Sequence, residues 1–368
     1  MKPNFVITRV HCNLPKNKKQ TELENYLRGL IHVSLTLDER RQLEKDIDGI
    51  VQCLNLKYPK VAEYSVTKET EWISVTAKGG DKSIYMVLKP IGKSYTEHIY
   101  DSKQITPPIS LSLMGYSQML ISTFGDNAKV GLCYLFASIF KDIITDVTNS
   151  FPILYFHGAA HTGKSQLGNS LTSLFTSKSL AANLNNYTLA GLMEHTMRTK
   201  TIAYFNGYKN SLDINKREFL KGLWDRAGRN IYNCGIIVSG QEIPTADIAL
   251  YNRLVLLTFY KSEFSDEEKI NLETLKIVEK SGLTHLVEEI LRKRYNFMFD
   301  FQSAWENTIT DLSYNVCQHE VEVRIIKNWA TVLAAFRALQ QYISVPFNYG
   351  DMLDIATKFC IEQNSKTK

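Results

Sequence analysis

The chain of 368 residues predicts an α/β fold with a parallel, doubly covered sheet, on three observations. A short apolar run, Ile153-Leu154-Tyr155-Phe156, leads into a glycine-bounded loop and then into helical periodicity from Gln166 to Phe175. Three further β-rich runs follow, Thr201 to Phe205, Gly235 to Ser239 and Leu254 to Phe259, with helical stretches between them. Strands alternating with helices imply a parallel sheet covered on both faces. Beyond residue 262 the apolar spacing is helical alone.

Residues 1–125 read as a small α+β accessory domain. Residues 22–55 carry helical spacing. Trp72 to Pro90 holds two strand-like runs around Gly79-Gly80, which predicts a hairpin. Pro107-Pro108 and Gly125-Asp126-Asn127 punctuate the approach to the next unit. Residues 126–262 form the core unit, opening with a buried helix over Leu132 to Val147. The apolar segment Val130 to Val147 is interrupted by Lys141-Asp142, so it predicts a core helix and not a membrane span.

Residues 263–368 form a helical domain. Ser265 and Glu268 make a capping box ahead of a helix reaching Lys280. Thr284 to Tyr295 is a second helix. Val321 to Tyr342 is a third, with Ile325, Trp329, Leu333, Phe336 and Leu339 at core spacing. The basic cluster Arg292-Lys293-Arg294 reads as a solvated helix face.

The loop itself is Gly158-Ala159-Ala160-His161-Thr162-Gly163-Lys164-Ser165, followed by Gln166. Strand, glycine-bounded loop, Lys-Ser and helix together spell a phosphate-binding loop of a nucleoside triphosphatase. Gly158 and Gly163 permit backbone angles that turn N–H groups inward onto phosphate. Lys164 supplies a point charge for the terminal phosphates, and Ser165 offers a hydroxyl to Mg²⁺. The positive end of the following helix adds to the anion site.

Ligands of parallel sheets bind beyond the carboxyl ends of the strands. A hydrolytic site needs acids there, one to hold Mg²⁺ and one to polarise water. The second strand carries Asn206-Gly207 at that point. Asn206 keeps an oxygen for the metal side but not the charge, and Gly207 has no side chain. Asn206→Asp with Gly207→Glu is expected to restore hydrolysis. Ser239, with Gln241 beyond it, suits a sensor of the terminal phosphate and equally a simple turn before Pro244. Arg253, just ahead of the last strand, suits an arginine that reaches a neighbouring subunit's phosphate.

Formal net charge is +5, with 44% hydrophobic and 22% charged residues, an ordinary globular balance that permits nucleic-acid binding without arguing for it. The six cysteines are scattered and lack C-x-x-C spacing, which excludes a zinc ribbon and suits reduced thiols in the cytoplasm.

Three segments carry a family resemblance: Tyr204 to Asn210, Lys216 to Asp225, and Ser239 to Leu250. It continues through Phe264 to Lys269 and Asn328 to Arg337 as far as Pro346 to Tyr349. Over residues 130–365 the chain resembles the helicase portion of primase-helicases carried by mobile elements of Bacteroidetes-type bacteria. That family is similar to AAA+ and superfamily-three helicases. The resemblance implies ATP and Mg²⁺ as ligands, DNA as a partner and a homo-oligomeric ring. It implies triphosphate on Gly158 to Ser165, Ser239 as sensor and Arg253 as trans-acting arginine. The family has Asp-Glu where this chain has Asn206-Gly207. It also has a longer charged insertion where only Arg226 to Cys234 bridges the gap.

The resulting expectation is a helicase-like ATPase of mobile-element replication with weakened hydrolysis. The alternative is a non-hydrolysing nucleotide-binding subunit that uses ATP to fix an assembly. A small-molecule kinase is disfavoured by the helical carboxyl-terminal region and the absence of an acceptor-binding motif.

Overall fold

In the computed structural model, residues 111–175, 181–199, 201–225, 234–260, 264–281 and 283–366 are described, with five strands nearer the amino terminus. Contacts divide the chain into two compact units, Met1–Ile105 and Thr106–Lys368. The first unit has strands β1 (Val6–Thr8), β2 (Glu63–Lys68), β3 (Ile73–Gly79), β4 (Lys82–Leu88) and β5 (Tyr95–Tyr100). They form one antiparallel sheet in sequence order. The hairpin expected around Gly79-Gly80 is the β3–β4 pair. The helical reading of residues 22–55, the punctuation at Pro107-Pro108 and the bridge over residues 226–233 lie outside the described residues.

The second unit is built on a five-stranded sheet of β6 (Ile153–Gly158), β7 (Ala182–Asn183), β8 (Ile202–Tyr208), β9 (Gly235–Gly240) and β10 (Leu254–Phe259). Their order is β10-β6-β9-β8-β7, and every pair is parallel. Strand β6 and its loop therefore sit inside the sheet, with β9 inserted between β6 and β8. The fold is thus mixed α/β with a parallel sheet, as expected. The strand β7 has only two residues, too few for periodicity to register.

Helices α1 (Leu113–Phe124), α2 (Asp126–Ile139) and α3 (Lys141–Thr148) precede β6. The single helix expected over Leu132 to Val147 is two helices, broken at Phe140 (φ −111°, ψ 25°). Phe140 stacks on Phe297 at 4.4 Å between ring centroids. Lys141, which interrupts the apolar segment in sequence, does not face solvent. It is buried, donates to the Cys234 carbonyl at 2.8 Å and lies over the Phe151 ring. Helix α2 is buried almost all round because it packs on the sheet and on the later helix α11 as well as on α1.

Helices α4 (Lys164–Ser173), α5 (Leu189–Arg198), α6 (Ile214–Trp224) and α7 (Ile248–Tyr251) connect the strands. The carboxyl-terminal layer is α8 (Asp266–Ser281), α9 (Thr284–Leu291), α10 (Arg294–Val316), α11 (Val323–Leu339) and α12 (Tyr349–Ser365). The capping box at α8 is present, with Ser265 N–H donating to Glu268 at 2.8 Å and Glu268 N–H to Ser265 Oγ at 3.2 Å. Ile325, Trp329, Leu333, Phe336 and Leu339 are all fully buried in α11. The helix expected to reach Tyr295 stops at Leu291, and Arg294 opens the separate helix α10. Arg294 is buried and pairs through both terminal nitrogens with Asp142, so the basic cluster is only partly a solvated face.

Strand β10 lies at one edge of the sheet, where unpaired backbone groups need cover. Side-chain amides supply it. Gln363 on α12 donates to Leu254 O at 3.0 Å and accepts from Leu256 N–H at 3.2 Å. Asn127 donates to Thr258 O at 3.2 Å. Trp329 Nε1 donates to the same Gln363 oxygen at 3.0 Å, which locks the amide's orientation. These bonds tie the helical layer to the edge of the sheet.

Candidate functional site

The parallel register brings the loop after β6, the end of β9 and the end of β8 to one side of the sheet. Phe156 pairs with Ser239, and Val238 pairs with Phe205. Gly158, Ser239 and Asn206 therefore line the same carboxyl edge.

Within the loop, Gly163 has φ +89° and His161 φ +64°. Left-handed residues alternating with ordinary ones turn successive N–H groups to one side, which makes a concave anion site. Thr162 Oγ1 donates to Ala159 O at 2.9 Å and closes the loop on itself. The first bond of α4 runs from Leu167 N–H to Gly163 O at 3.0 Å. The N–H groups of Lys164, Ser165 and Gln166 thus precede the helical ladder and are donors without an intrahelical acceptor. Ala159, Ala160, His161 and Ser165 are exposed, while Thr162 and Gly163 are buried.

Lys164 is folded onto the loop. Its ammonium donates to Gly158 O at 2.7 Å, to Ala159 O and to Thr162 Oγ1 at 3.1 Å. Burial lowers its pKa from the ordinary lysine value. An anion seated in the loop would compete with neutral carbonyls for this charge, and a charge-assisted bond is the stronger one. His157, just ahead of the loop, has its pKa lowered by burial and then by the positive charge of Lys366.

Asn206 and Gly207 lie inside β8, not at its end. The strand runs to Tyr208 through a register shift between Phe205 and Tyr208. Gly207 has φ +78°, the left-handed value that a one-residue bulge in a strand requires. A glycine inside a strand-like run was the available signal for the bulge. Asn206 Oδ1 is buried without a hydrogen-bond partner. That orphaned oxygen fits a water or cation ligand at the mouth of the site, because a buried acceptor left unpaired is costly.

Asparagines of the β7 turn occupy the space beside Gly207. Asn183 Oδ1 accepts from the N–H groups of Asn185 at 2.9 Å and Asn186 at 3.3 Å. Asn185 Nδ2 donates to Gly207 O at 2.6 Å. A Cβ at Gly207 would come within 3.0 Å of Asn183 Nδ2 and 3.2 Å of Asn185 Nδ2. The backbone conformation and this amide cap both oppose Gly207→Glu, so the simple restoration of an acid pair does not suit the strand as it stands.

Ser239 is buried at the end of β9, and its Oγ lies 3.0 Å from Tyr204 Oη. Sequence reasoning passed over Tyr204, although a phenol in the apolar run Ile202 to Phe205 needs a polar partner. Arg253 lies at the opposite end of the sheet. Its carbonyl accepts from Ile153 N–H at 3.1 Å, at the start of β6, six residues along β10 from Phe259. That span is about 20 Å at strand rise. Arg253 is therefore remote from its own chain's loop. It donates to Ala249 O at 2.7 Å, pairs with Asp225 at 3.2 Å and stacks over Trp224 at 5.1 Å.

A cavity of about 220 Å³ opens along the outer edge of β10, lined by Phe124, Asn127, Thr258, Tyr260, Phe359 and Lys366 among others. The Phe124 ring that walls it also lies 3.4 Å from the Cβ position of Gly163. Among the described residues no cluster of three or more His, Cys, Asp or Glu side chains could hold a metal ion. No helix among them is long and apolar enough to cross a membrane.

No protein-family model matches the chain, and no curated protein matches its sequence. A solved structure described as "SCCmec type IV Cch - active helicase" shares the fold, with a TM-score of 0.55 at 12% identity. The match covers 88% of this chain and 65% of that one, so this chain spans about two thirds of its neighbour's length. The likeness is one of fold alone.

Proposed function

We propose that this chain is a helicase-like ATP-binding protein in which Gly158 to Gln166 hold the triphosphate. The observation that carries this reading is the loop itself. It combines left-handed turns at His161 and Gly163, unused N–H groups at the start of α4 and a folded-in Lys164, all at the carboxyl edge of an internal parallel strand. Phosphate would accept from the N–H groups and draw Lys164 off the carbonyls. Ser165 and the orphaned Asn206 oxygen are the groups that would face Mg²⁺, which when bound neutralises phosphate charge. Few protein ligands suit this ion, since it keeps waters and phosphate oxygens around it. Ser239 would face the terminal phosphate. The cavity along β10 offers aromatic walls and amide groups suited to a base.

Arg253 has no route to its own loop, so the role proposed for it is in trans, across a homo-oligomeric ring on DNA. In such a ring it would have to leave Asp225. Hydrolysis is proposed to be weak, because Asn206 lacks a charge and Gly207 lacks a side chain. Loss of one well-placed electrostatic group costs about 10²- to 10³-fold in rate. The amide cap on Gly207 favours the second reading equally, a subunit that binds ATP to fix an assembly without turnover.

Titration of ATP with Mg²⁺ into the wild-type chain and into Lys164→Ala tests the site. Saturable binding that Lys164→Ala abolishes, with the fold intact, is the expected outcome. Equal affinity in the two proteins would remove the loop from the account.

A further inference from the structure

Tyr204 carries the only hydroxyl in the run Ile202 to Phe205. Its ring is 2% exposed. Helix α4 passes directly over it at Gly168, where a Cβ would meet ring atoms at 2.7 and 2.9 Å. Gly168 thus clears the space that lets the ring slide beneath the helix. Ser165 stands three residues earlier, one turn nearer the loop on the same helix face. Its side chain is near enough to influence the Tyr204 hydroxyl, though it makes no hydrogen bond to it in this structure. On the other side the hydroxyl is 3.0 Å from Ser239 Oγ.

We propose that Tyr204 is a positioning residue: bonded to Ser239 and lying beneath the helix that carries Ser165, it can accept from the Ser165 hydroxyl once nucleotide and Mg²⁺ are seated, joining the two ends of the triphosphate site through one hydrogen-bond chain, Ser165 to Tyr204 to Ser239. This proposal rests on the reading of Gly158 to Ser165 as a nucleotide site. The direction of the chain follows from elementary donor and acceptor counting. A serine that turns a lone pair toward a cation must send its hydrogen elsewhere, and the phenol oxygen can accept it. The phenol hydrogen then goes to Ser239 Oγ. Ser239 is left with its own hydrogen for a phosphate oxygen beyond β9. The chain thus orients the metal-side serine and the phosphate-side serine together. It needs no carboxylate, in a strand that has none at Asn206-Gly207.

The test uses Tyr204→Phe in the full chain, which keeps the ring and removes the hydroxyl. ATP and ADP affinities are measured with Mg²⁺ and again with a chelator. The expected result is a loss of about three- to tenfold in the Mg²⁺-dependent gain in ATP affinity, the size of one hydrogen bond. Metal-free affinity stays as in the wild type, and the preference for ATP over ADP narrows. A purely structural hydroxyl would alter stability and leave those ratios alone. An unchanged Mg²⁺ gain in folded Tyr204→Phe overturns the proposal. If Tyr204→Phe does not fold, Ser239→Ala breaks the chain at its other link, and an unchanged Mg²⁺ gain there overturns it equally. Lys164→Ala separates the two levels. Retained binding in that variant sinks the nucleotide site, whereas lost binding there with unchanged ratios in Tyr204→Phe sinks only the chain.

Discussion

Filling the empty position at Gly207 is the perturbation that most directly probes the proposal that hydrolysis here is weak. Gly207 has φ +78°, and a side chain in that region costs about 1–2 kcal/mol. The new Cβ would also stand 3.0 Å from Asn183 Nδ2 and 3.3 Å from Asn183 Oδ1. Relieving that approach strains the cap in which Asn183 accepts from Asn185 and Asn186, worth about 1 kcal/mol if one bond is lost. Together Gly207→Ala should lower unfolding free energy by about 2–3 kcal/mol. Gly207→Glu should cost at least as much. Urea denaturation followed by circular dichroism reads this as a lower midpoint at unchanged slope. Asn206→Asp adds no atoms that need new space and should be tolerated. The pair Asn206→Asp with Gly207→Glu should not restore phosphate release. A Gly207→Ala protein within about 0.5 kcal/mol of wild type would refute the strain argument. Brisk release by the double variant would refute the blocked acid position.

Three further outcomes are expected. Gln363→Leu should destabilise the fold by about 3 kcal/mol or more, because Leu256 N–H, Leu254 O and Trp329 Nε1 each lose a buried partner. Thermal or urea melts check it, and a loss under about 1 kcal/mol would show that the edge of β10 does not depend on this amide. Glu279 on α8 has its pKa raised to about 7, chiefly by burial, with the neighbouring Ser170 and Lys276 opposing the rise. A raised carboxyl pKa means the folded state holds the proton longer. Stability should therefore fall as pH rises from about 4.5 to 7, by up to about 3 kcal/mol. Glu279→Gln should flatten that slope, and an identical pH profile would dismiss Glu279 as its source. Asp142→Asn should destabilise the joint between α3 and α10 by about 1–3 kcal/mol, since it replaces the carboxylate that both terminal nitrogens of buried Arg294 engage with a neutral amide. A neutral effect in a urea melt would contradict that.

Features fixed by local chemistry were legible in the chain before its fold was described. The glycine loop sits between β6 and α4, the Ser265–Glu268 capping box is formed, and the apolar spacing of α11 marks residues that are all buried. Features that tertiary contacts decide were not legible. Strand β7 has two residues and no period. Helix α10 carries polar residues on several faces, so no stripe announced its 23 residues. Arg294 reads in sequence as part of a solvated face, and Lys141 as a break in an apolar run, yet both are buried, against Asp142 and the Cys234 carbonyl. The same limit governs the site. The loop's residue types suggest the chemistry proposed for it, but the bulge at Gly207 and the contact of Tyr204 with Ser239 depend on strands far apart in sequence.

The central claim is an ATP site whose hydrolytic half is weak, and one paired measurement tests it most directly. Equilibrium ATP binding and steady-state phosphate release would be measured on the same wild-type protein with Mg²⁺, with and without single-stranded DNA. Enzymes commonly turn over at about 1–10³ per second. The account predicts saturable ATP binding with release about 10²- to 10³-fold below the low end of that range, whether or not DNA is present. Release at several per second, or strong stimulation by DNA, would contradict it and mean that another carboxylate completes the site.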